Sequence, residues 1–199
     1  MSATRTYRVN EIFYSLQAEG ANAGRAAVFV RLSGCNLACP FCDTNHEPFR
    51  EMSGGEICAE VDRLASEANG EKPIVVFTGG EPTLQLSEDE PLCEGYFRAI
   101  ETNGTRPAPS WIQWVTVSPK TIAGVEFAKA NEIKVLFGWY REDYVLSLEK
   151  YAKRRRIPLY IQPTADKDGK FNPLPVVDFI MRHPRFRLSL QWHKIFNIR

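Results

Sequence analysis

Seven short, β-rich runs are the sequence feature that most restricts how this chain can fold. Most of them are continuously apolar rather than alternating, which is typical of strands covered on both faces of a sheet. They span residues 26–32, 73–79, 97–103, 114–119, 132–137, 158–164 and 185–191. Apolar residues at helical spacing lie between several of these runs, at 55–70, 144–156 and 175–183.

This alternation of strands and helices predicts a mostly parallel α/β architecture. A complete eight-stranded barrel typically needs about 250 residues, whereas this chain has 199. We therefore expect an incomplete parallel β/α barrel of about six strands with reduced helices. One domain covering residues 1–199 is expected, with Gly70 as the stop of the first helix.

Composition excludes several classes of protein. With 44% hydrophobic and 25% charged residues, the chain can bury a substantial core without disulfide staples. A net charge of +1 gives no field that would attract nucleic acid or an acidic membrane, and no segment reads as a signal peptide or spanning helix. We expect a cytoplasmic protein whose five cysteines are thiols or metal ligands.

Unusual residue clusters stand where the runs end. SGCNLACPFC follows the first run, TGGEP the second, ETNGT the third, SPK the fourth, QPT the sixth and QWHK the last. Parallel strands of a barrel end at one face, and active sites are built there. The sequence therefore predicts one site assembled from the whole length of the chain.

Three clustered cysteines, Cys35, Cys39 and Cys42, leave two interpretations open. With His46 they form the pattern C-x3-C-x2-C-x3-H, which suits a structural zinc site. Alternatively, the three thiolates bind three irons of a four-iron four-sulfur cluster, so that the fourth iron is open to a ligand that is not protein.

The motifs resemble those of a known superfamily. The spacing C-x3-C-x2-C, with Phe41 before the third cysteine, resembles the signature of radical S-adenosylmethionine (SAM) enzymes, and GGEP at 79–82 resembles their second hallmark. Within that superfamily the chain resembles the 7-carboxy-7-deazaguanine synthase family through segments in one order: FYSLQAEG, FVRLSGCNLACPFCDT, TGGEPTLQ, ETNGT, VSPK, EIK, QP and SLQWHKIFNIR. Ala18 departs from the pattern, because the family commonly has glycine there.

The resemblance implies a radical SAM lyase of 7-deazapurine and queuosine biosynthesis. Such an enzyme converts 6-carboxy-5,6,7,8-tetrahydropterin to 7-carboxy-7-deazaguanine with loss of ammonia. A reduced cluster cleaves SAM, and the 5′-deoxyadenosyl radical takes a hydrogen from the pterin carbon that bears the carboxylate. The resemblance also implies Mg²⁺, an electron donor such as flavodoxin, and a homodimer.

Site residues are carried over by position, and no side chain is assigned as catalytic because the radical forms on the cofactor. The cluster ligands are Cys35, Cys39 and Cys42. The SAM contacts are Phe41, Cys42, Asp43, Gly80, Ser118, Pro119 and Lys120. The substrate contacts are Leu16, Gln17, Ala18, Glu19, Arg31, Thr78 and His193. Arg31 suits the substrate carboxylate because a guanidinium can donate two parallel hydrogen bonds. Thr44 is the Mg²⁺ ligand, with Asp43 orienting a bound water.

Two other functions remain open at this point: an activating enzyme that makes a glycyl radical on a partner protein, and a zinc-stabilised binding module. The basic run at 153–156 closes a helical pattern and usually faces solvent, although it could dock an acidic electron donor. Cys58 and Cys93 are interpreted as ordinary small side chains.

Overall fold

A computed structural model describes residues 5–42, 44–45, 48–121, 124–164 and 172–199. These residues form a nine-stranded sheet in the order β3-β1-β2-β4-β5-β6-β7-β8-β9. The strands are β1 (Thr6–Leu16), β2 (Ala26–Leu32), β3 (Arg50–Ser53), β4 (Ile74–Gly79), β5 (Arg98–Thr102), β6 (Trp114–Val117), β7 (Glu132–Leu136), β8 (Leu159–Gln162) and β9 (Phe186–Leu188).

Seven strands of the described sheet, β2 and β4 to β9, run parallel, and each lies within one of the seven predicted runs. The predicted fold class is confirmed, with one strand more than the six or so expected. Two antiparallel strands, β1 and β3, extend the edge next to β2. Neither was predicted.

The helices are α1 (Gly54–Ala65), α2 (Glu142–Arg155), α3 (Leu174–Arg182) and α4 (Trp192–Phe196), with short 3-10 turns at Gly20–Asn22 and Pro82–Leu84. A capping box starts α1: Ser53 Oγ accepts from the N–H of Glu56, and Glu56 accepts from the N–H of Ser53. The helix ends at Ala65 and not at the predicted Gly70. Ser66 is its C-terminal cap, and after it the N–H groups of Glu67 and Ala68 bond three residues back, to Leu64 and Ala65, as in turns and not in an α-helix. None of the helices in the described part of the chain has the length and apolar character that a membrane span needs.

Helices cover one face of the sheet. Apolar side chains of α1, α2 and α3 pack with alternate residues of the parallel strands, such as Val30, Phe77 and Ile161, in the main core. In the described part of the chain, the apolar cluster on the opposite face is smaller, centres on Phe29 and Val76, and includes no residue of α1, α2 or α3. We call this opposite face the inner face, since it is the interior of the partial barrel.

The inner face becomes polar towards the carboxyl ends of the strands. Strand register puts Arg31 beside Thr78 and Thr116 beside Glu132. Because side chains alternate along a strand, the polar residues that alternate with main-core residues near these strand ends point to this face. They include Arg31, Thr78, Glu101, Thr116, Glu132, Lys134 and Gln162. Most are buried, so each needs a polar partner.

Candidate active site

The loop that follows β2 carries Cys35, Cys39 and Cys42, and we call it the cluster loop. Cys35 and Cys39 are partly buried and Cys42 is exposed. The N–H of Leu37 donates to Cys35 Sγ (3.4 Å), and the N–H of Cys42 donates to the carbonyl of Cys39 (3.0 Å). The chain thus turns back on itself at Cys39 and presents the thiols at the carboxyl ends of the strands.

Three thiolates on one loop are the protein ligands that a four-iron cluster takes when its fourth iron binds another group. Tetrahedral zinc needs a fourth protein ligand on the same centre. Burial raises the pKa of Cys39, and the positive charge of Lys120 opposes that rise. His46, the fourth ligand of the zinc alternative, lies outside the described residues.

Two glycines let the GGEP segment pack directly against the cluster loop. A Cβ on Gly80 would lie 2.0 Å from the carbonyl oxygen of Gly34, and one on Gly79 would lie 2.0 Å from that of Leu32. Gly79 also has φ +125°, which only glycine adopts readily. The N–H of Gly80 donates to Leu32 (3.0 Å) and that of Glu81 to Gly34 (2.9 Å). The two segments are therefore fixed to each other through their backbones.

Glu81 joins these segments to the loop after β5. Its side chain is fully buried and accepts hydrogen bonds from the N–H and hydroxyl of Thr83, the hydroxyl of Thr102 and the N–H of Asn103, at 2.6–3.0 Å. A buried carboxylate is costly unless it is fully hydrogen-bonded, and this one has four donors. The glutamate of GGEP is therefore a structural anchor.

The ETNGT loop contacts the cluster loop in turn. Asn103 donates to Asn36 (3.0 Å), and Asn36 donates to Thr105 (2.9 Å). Asn36 follows Cys35 directly, so these bonds position the first cluster cysteine.

Lys134 is the centre of the polar inner face. Its side chain is 7% exposed and forms ion pairs with Glu19 and, at 3.6 Å, with Glu101. Burial lowers the pKa of Lys134, but the carboxylates of Glu101 and Glu19 outweigh burial and raise it overall. Glu101 also accepts from Thr78 (3.0 Å) and Gln17 (3.3 Å). One lysine therefore holds two carboxylates that face the interior.

The turn after β1 covers the inner face and brings Glu19 to Lys134. The N–H of Gly20 donates to Ser189 (3.1 Å) and that of Ala21 to Glu132 (2.7 Å). Burial raises the pKa of Glu19, but the charge and hydrogen bond of Lys134 lower it overall, with smaller contributions from Gln191 and His193. Glu19 is therefore ionised at neutral pH.

Arg31 lies on the same face, at the strand end next to the cluster loop. Its Nε donates to Glu11 on β1 at 2.8 Å, and the two side chains are 23% and 27% exposed. This bond uses one of the roughly five N–H donors of a guanidinium. Arg31 is thus held in place by Glu11 at the edge of the polar face.

An aromatic contact joins the cluster loop to the loop after β7. The rings of Phe41 and Trp139 meet edge to face, with centroids 4.0 Å apart. Lys120 Nζ lies 5.8 Å from the Phe41 ring centroid and donates to Ser118 (2.7 Å). Burial, followed by the charge of Lys134, lowers the pKa of Lys120. The SPK segment therefore lies beside the cluster loop.

Comparison with known proteins identifies the family. The profile of the Radical SAM superfamily matches residues 29–158. The 7-carboxy-7-deazaguanine synthase of Bacteroides thetaiotaomicron is 42% identical over 96% of this chain and 98% of its own length. The chain belongs to the 7-carboxy-7-deazaguanine synthase family. The protein of the same name from Burkholderia multivorans is 40% identical over 97% of this chain and 99% of its own length. The crystal structure of QueE from Escherichia coli matches with a TM-score of 0.72 at 27% identity and covers 94% of each chain.

Most of the site residues assigned through the family meet at one end of the sheet. The structure brings together the cluster loop with Gly80 and Lys120, and Glu19 with Thr78 through Lys134 and Glu101. Leu16 is different. Its side chain is 39% exposed, and pairing with Ala26 puts it on the helix-covered side of β1, so only its backbone can serve the inner face. Asp43 lies outside the described residues.

Ala18 and His193 lie where α4 meets the turn after β1. Ala18 is 4% exposed, and its carbonyl accepts from the N–H of Trp192 at 3.4 Å. The methyl group that replaces the family's glycine is therefore buried in the turn itself. His193 follows Trp192 and contributes to the lowered pKa of Glu19, so it lies close to the polar face.

Sequence reasoning missed several residues that build this site. The motifs that indicate the site contain four residues to which no role was assigned from the sequence: Lys134, Glu101, Glu81 and Asn36. A charged residue inside an otherwise apolar run, as in EIKVLF, was the available signal. Such a residue is almost never fully buried unless it is paired.

Proposed function

We propose that this chain is a radical SAM lyase that converts 6-carboxy-5,6,7,8-tetrahydropterin to 7-carboxy-7-deazaguanine and ammonia, in 7-deazapurine and queuosine biosynthesis. One observation supports this most: the three-cysteine loop, GGEP and a polar, carboxylate-bearing inner face meet at the carboxyl ends of the parallel strands. Membership of the 7-carboxy-7-deazaguanine synthase family agrees with it. We also treat residues 1–199 as one domain, since strands from Thr6 to Leu188 share a sheet.

The cofactors of this superfamily are a four-iron four-sulfur cluster and SAM, which together supply the electron and the hydrogen-abstracting radical. In the proposal, Cys35, Cys39 and Cys42 hold the cluster. The N–H of Gly80 is used by Leu32, so the group it offers the SAM ammonium is its carbonyl, the acceptor that an ammonium requires.

Other SAM contacts come from loops that already touch one another. Phe41 offers a ring face or edge, and Ser118, Pro119 and Lys120 line the adjoining segment. Tyr140 donates to the carbonyl of Pro119 (2.9 Å), which holds that segment against the loop after β7. The partly desolvated Lys120 supplies a positive charge for the cofactor's carboxylate or hydroxyls.

Substrate binding is assigned to the inner face. Arg31 takes the pterin carboxylate, with Glu11 fixing the guanidinium. Thr78, Gln17 and Glu19 offer hydroxyl, amide and carboxylate groups to the donor and acceptor edge of the ring, and His193 lies beside them. Lys134 keeps Glu19 ionised, so that its carboxylate accepts hydrogen bonds and does not donate them.

For Mg²⁺ we propose a site completed by the substrate. Thr44 stands two residues after Cys42, whose thiol donates to the Thr44 carbonyl at 3.7 Å. Mg²⁺ prefers six oxygen ligands and usually keeps several waters, so one hydroxyl with substrate oxygens suffices. Thr44→Ala should lower turnover and the response to Mg²⁺ together, without loss of iron or SAM binding. Full activity across an Mg²⁺ titration of chelator-treated enzyme would place the ion elsewhere.

The electron donor, such as a flavodoxin, is proposed to approach the cluster loop. The basic run at 153–156 lies at the other end of the sheet, because α2 starts after the carboxyl end of β7 and finishes before β8. Docking there would leave the whole sheet between donor and cluster. A homodimer remains part of the proposal.

An anaerobic assay tests the proposed function. Reconstituted enzyme with carboxytetrahydropterin, SAM, Mg²⁺ and reductant should release 7-carboxy-7-deazaguanine and ammonia. Alanine at Cys35, Cys39 or Cys42 should abolish SAM cleavage, whereas His46→Ala should keep its iron. Cluster-loaded enzyme that cleaves SAM but leaves the pterin unchanged would refute the proposed reaction. A requirement for His46 in metal retention would restore the zinc alternative.

A further inference from the structure

Two cysteines outside the cluster loop are in direct contact. Cys58 lies on α1 and Cys93 in the segment between β4 and β5, and their sulfurs are 3.4 Å apart across 35 positions of sequence. The backbone N–H of Cys93 donates to Cys58 Sγ at 3.0 Å. No local sequence motif brings these two thiols together, and neither lies in the candidate active site.

The backbone holds this contact in place. Cys93 has φ +52°, in the left-handed region that a residue with a side chain rarely adopts. Its neighbour Leu92 is 2% exposed and packs so tightly under the start of α1 that a Cβ on Gly54 would lie 2.7 Å from it. The conformation that aims the Cys93 N–H at Cys58 is thus fixed by packing against the same helix.

The two thiols differ in accessibility and acidity. Cys58 is partly exposed, whereas Cys93 is 3% exposed. Hydrogen bonding from Cys93 lowers the pKa of Cys58 to about 7, although burial opposes this. The same contact, followed by burial, raises the pKa of Cys93. A thiolate is the reactive form of cysteine, so Cys58 is the nucleophile of the pair.

Charged groups on the neighbouring elements modulate this acidity. Asp62 on α1 opposes ionisation of Cys58, and Arg98 on β5 favours it. Tyr96 donates to Asp62 at 2.6 Å and so draws that carboxylate into a bond of its own. Tyr7 of β1, which interacts with Glu90, completes the titratable surroundings.

We propose that Cys58 and Cys93 are a redox-active pair that low-molecular-weight disulfides convert to an intramolecular disulfide. The Cys58 thiolate attacks one sulfur of the small disulfide, forms a mixed disulfide and releases one small thiolate. That thiolate takes the proton of Cys93, whose sulfur then attacks Cys58 Sγ and releases the second small thiolate, which takes from water the proton that Cys58 lost on ionising. Two protein thiols are oxidised, one small disulfide is reduced to two thiols, and α1 becomes covalently joined to the segment before β5.

The test uses the reconstituted, cluster-loaded enzyme under anaerobic conditions with oxidised glutathione as probe. After alkylation of free thiols, trypsin separates the two cysteines because Arg63 and Arg98 bound their peptides. Mass spectrometry should find the Cys58 and Cys93 peptides joined, at a rate that rises as the pH is raised through about 7, where Cys58 ionises. The absorbance of the cluster should not change.

Two single variants separate the roles within the pair. Cys93→Ser should accumulate a glutathione adduct at Cys58, because the resolving thiol is gone. Cys58→Ser should leave the buried Cys93 unmodified. The proposal is overturned if wild-type enzyme keeps both thiols alkylatable at high oxidised glutathione, or if it carries a lasting glutathione adduct at Cys58 without a link to Cys93. The wild-type peptide map decides this even if a variant fails to fold.

Discussion

Replacement of Lys134 by methionine should strongly destabilise the protein at neutral pH. The lysine is 7% exposed and pairs with Glu19, which is 13% exposed, and with Glu101, which is 24% exposed. Methionine has a similar length and no charge, so it leaves two interior carboxylates without their shared cation. Removing one partner of a buried ion pair costs about 3–5 kcal/mol. In a chain of this size that loss lowers Tm by roughly 6–20 °C.

The loss should depend on pH, with its maximum near neutrality. In the wild type, Lys134 holds the pKa of Glu19 below its usual range, so the ionised group stabilises the fold above that range and the contribution is lost in acid. Without Lys134, burial raises the pKa of Glu19, and ionisation as the pH rises then destabilises the fold. The difference between variant and wild type should therefore shrink as the pH falls from 7 towards 5.

Thermal unfolding of reconstituted protein at several pH values measures this effect. Lys150→Met is the matched control, because Lys150 is exposed on α2 and the same charge is removed. Adding Glu19→Gln to Lys134→Met should recover part of the stability, since an uncompensated charge disappears. A loss below about 1 kcal/mol at pH 7, or an equal loss at pH 5 and pH 7, would contradict the role assigned to Lys134.

Three further substitutions test the remaining parts of the site. Gly80→Ala places a Cβ 2.0 Å from the Gly34 oxygen, so iron content after reconstitution should fall. The control Gly55→Ala, whose Cβ would have no atom within 4 Å, should retain its iron. Equal iron content in both variants would argue against the packing of Gly80 on the cluster loop. Glu81→Gln replaces one oxygen of a carboxylate that accepts from four donors. The free energy of unfolding should fall by about 2–3 kcal/mol. An unchanged Tm would contradict the structural role of Glu81. Arg31→Lys keeps the charge but loses the planar guanidinium group. Substrate KM should therefore rise about 30-fold or more, from a loss of binding free energy on the order of 2 kcal/mol, while iron content and SAM cleavage stay unchanged. An unaltered KM would show that Arg31 does not bind the substrate.

Most of the parallel strands were predictable from sequence because they are buried on both faces, and a strand buried on two sides is largely apolar. In β9 this holds only for Phe186, since Arg187 and Leu188 are exposed. β1 was missed because the strand is only partly covered and its alternation is interrupted, with a register shift between Val9 and Glu11. β3 is four residues long and starts with exposed Arg50 and Glu51. Neither has enough buried side chains to leave a clear apolar pattern.

The site was predictable in its residue types but not in its pairings. Motif order identified the cysteines, GGEP and the substrate segment. It did not associate Glu19 with Lys134, which are 115 positions apart, or Glu11 with Arg31. Such pairs depend on strand register and on which alternate residues face inwards, and no local pattern records them. Glu19 illustrates the consequence, because a residue assigned to substrate also belongs to an ion pair that stabilises the fold.

The cluster loop is supported unequally along its length, which explains why two motifs without cluster ligands matter to the site. Gly34 accepts from the N–H of Glu81 at 2.9 Å, and Asn36 bonds to Asn103 at 3.0 Å. These contacts flank Cys35 and fix it to the loops after β4 and β5. The later residues Ala38, Pro40 and Cys42 are exposed. Hydrogen bonds to other loops therefore position Cys35 before iron binds, whereas the second half is held by the turn bond between Cys42 and Cys39 and by the Phe41–Trp139 ring contact. Pre-ordering part of a site lowers the entropic cost of binding, and in this chain GGEP and ETNGT provide it.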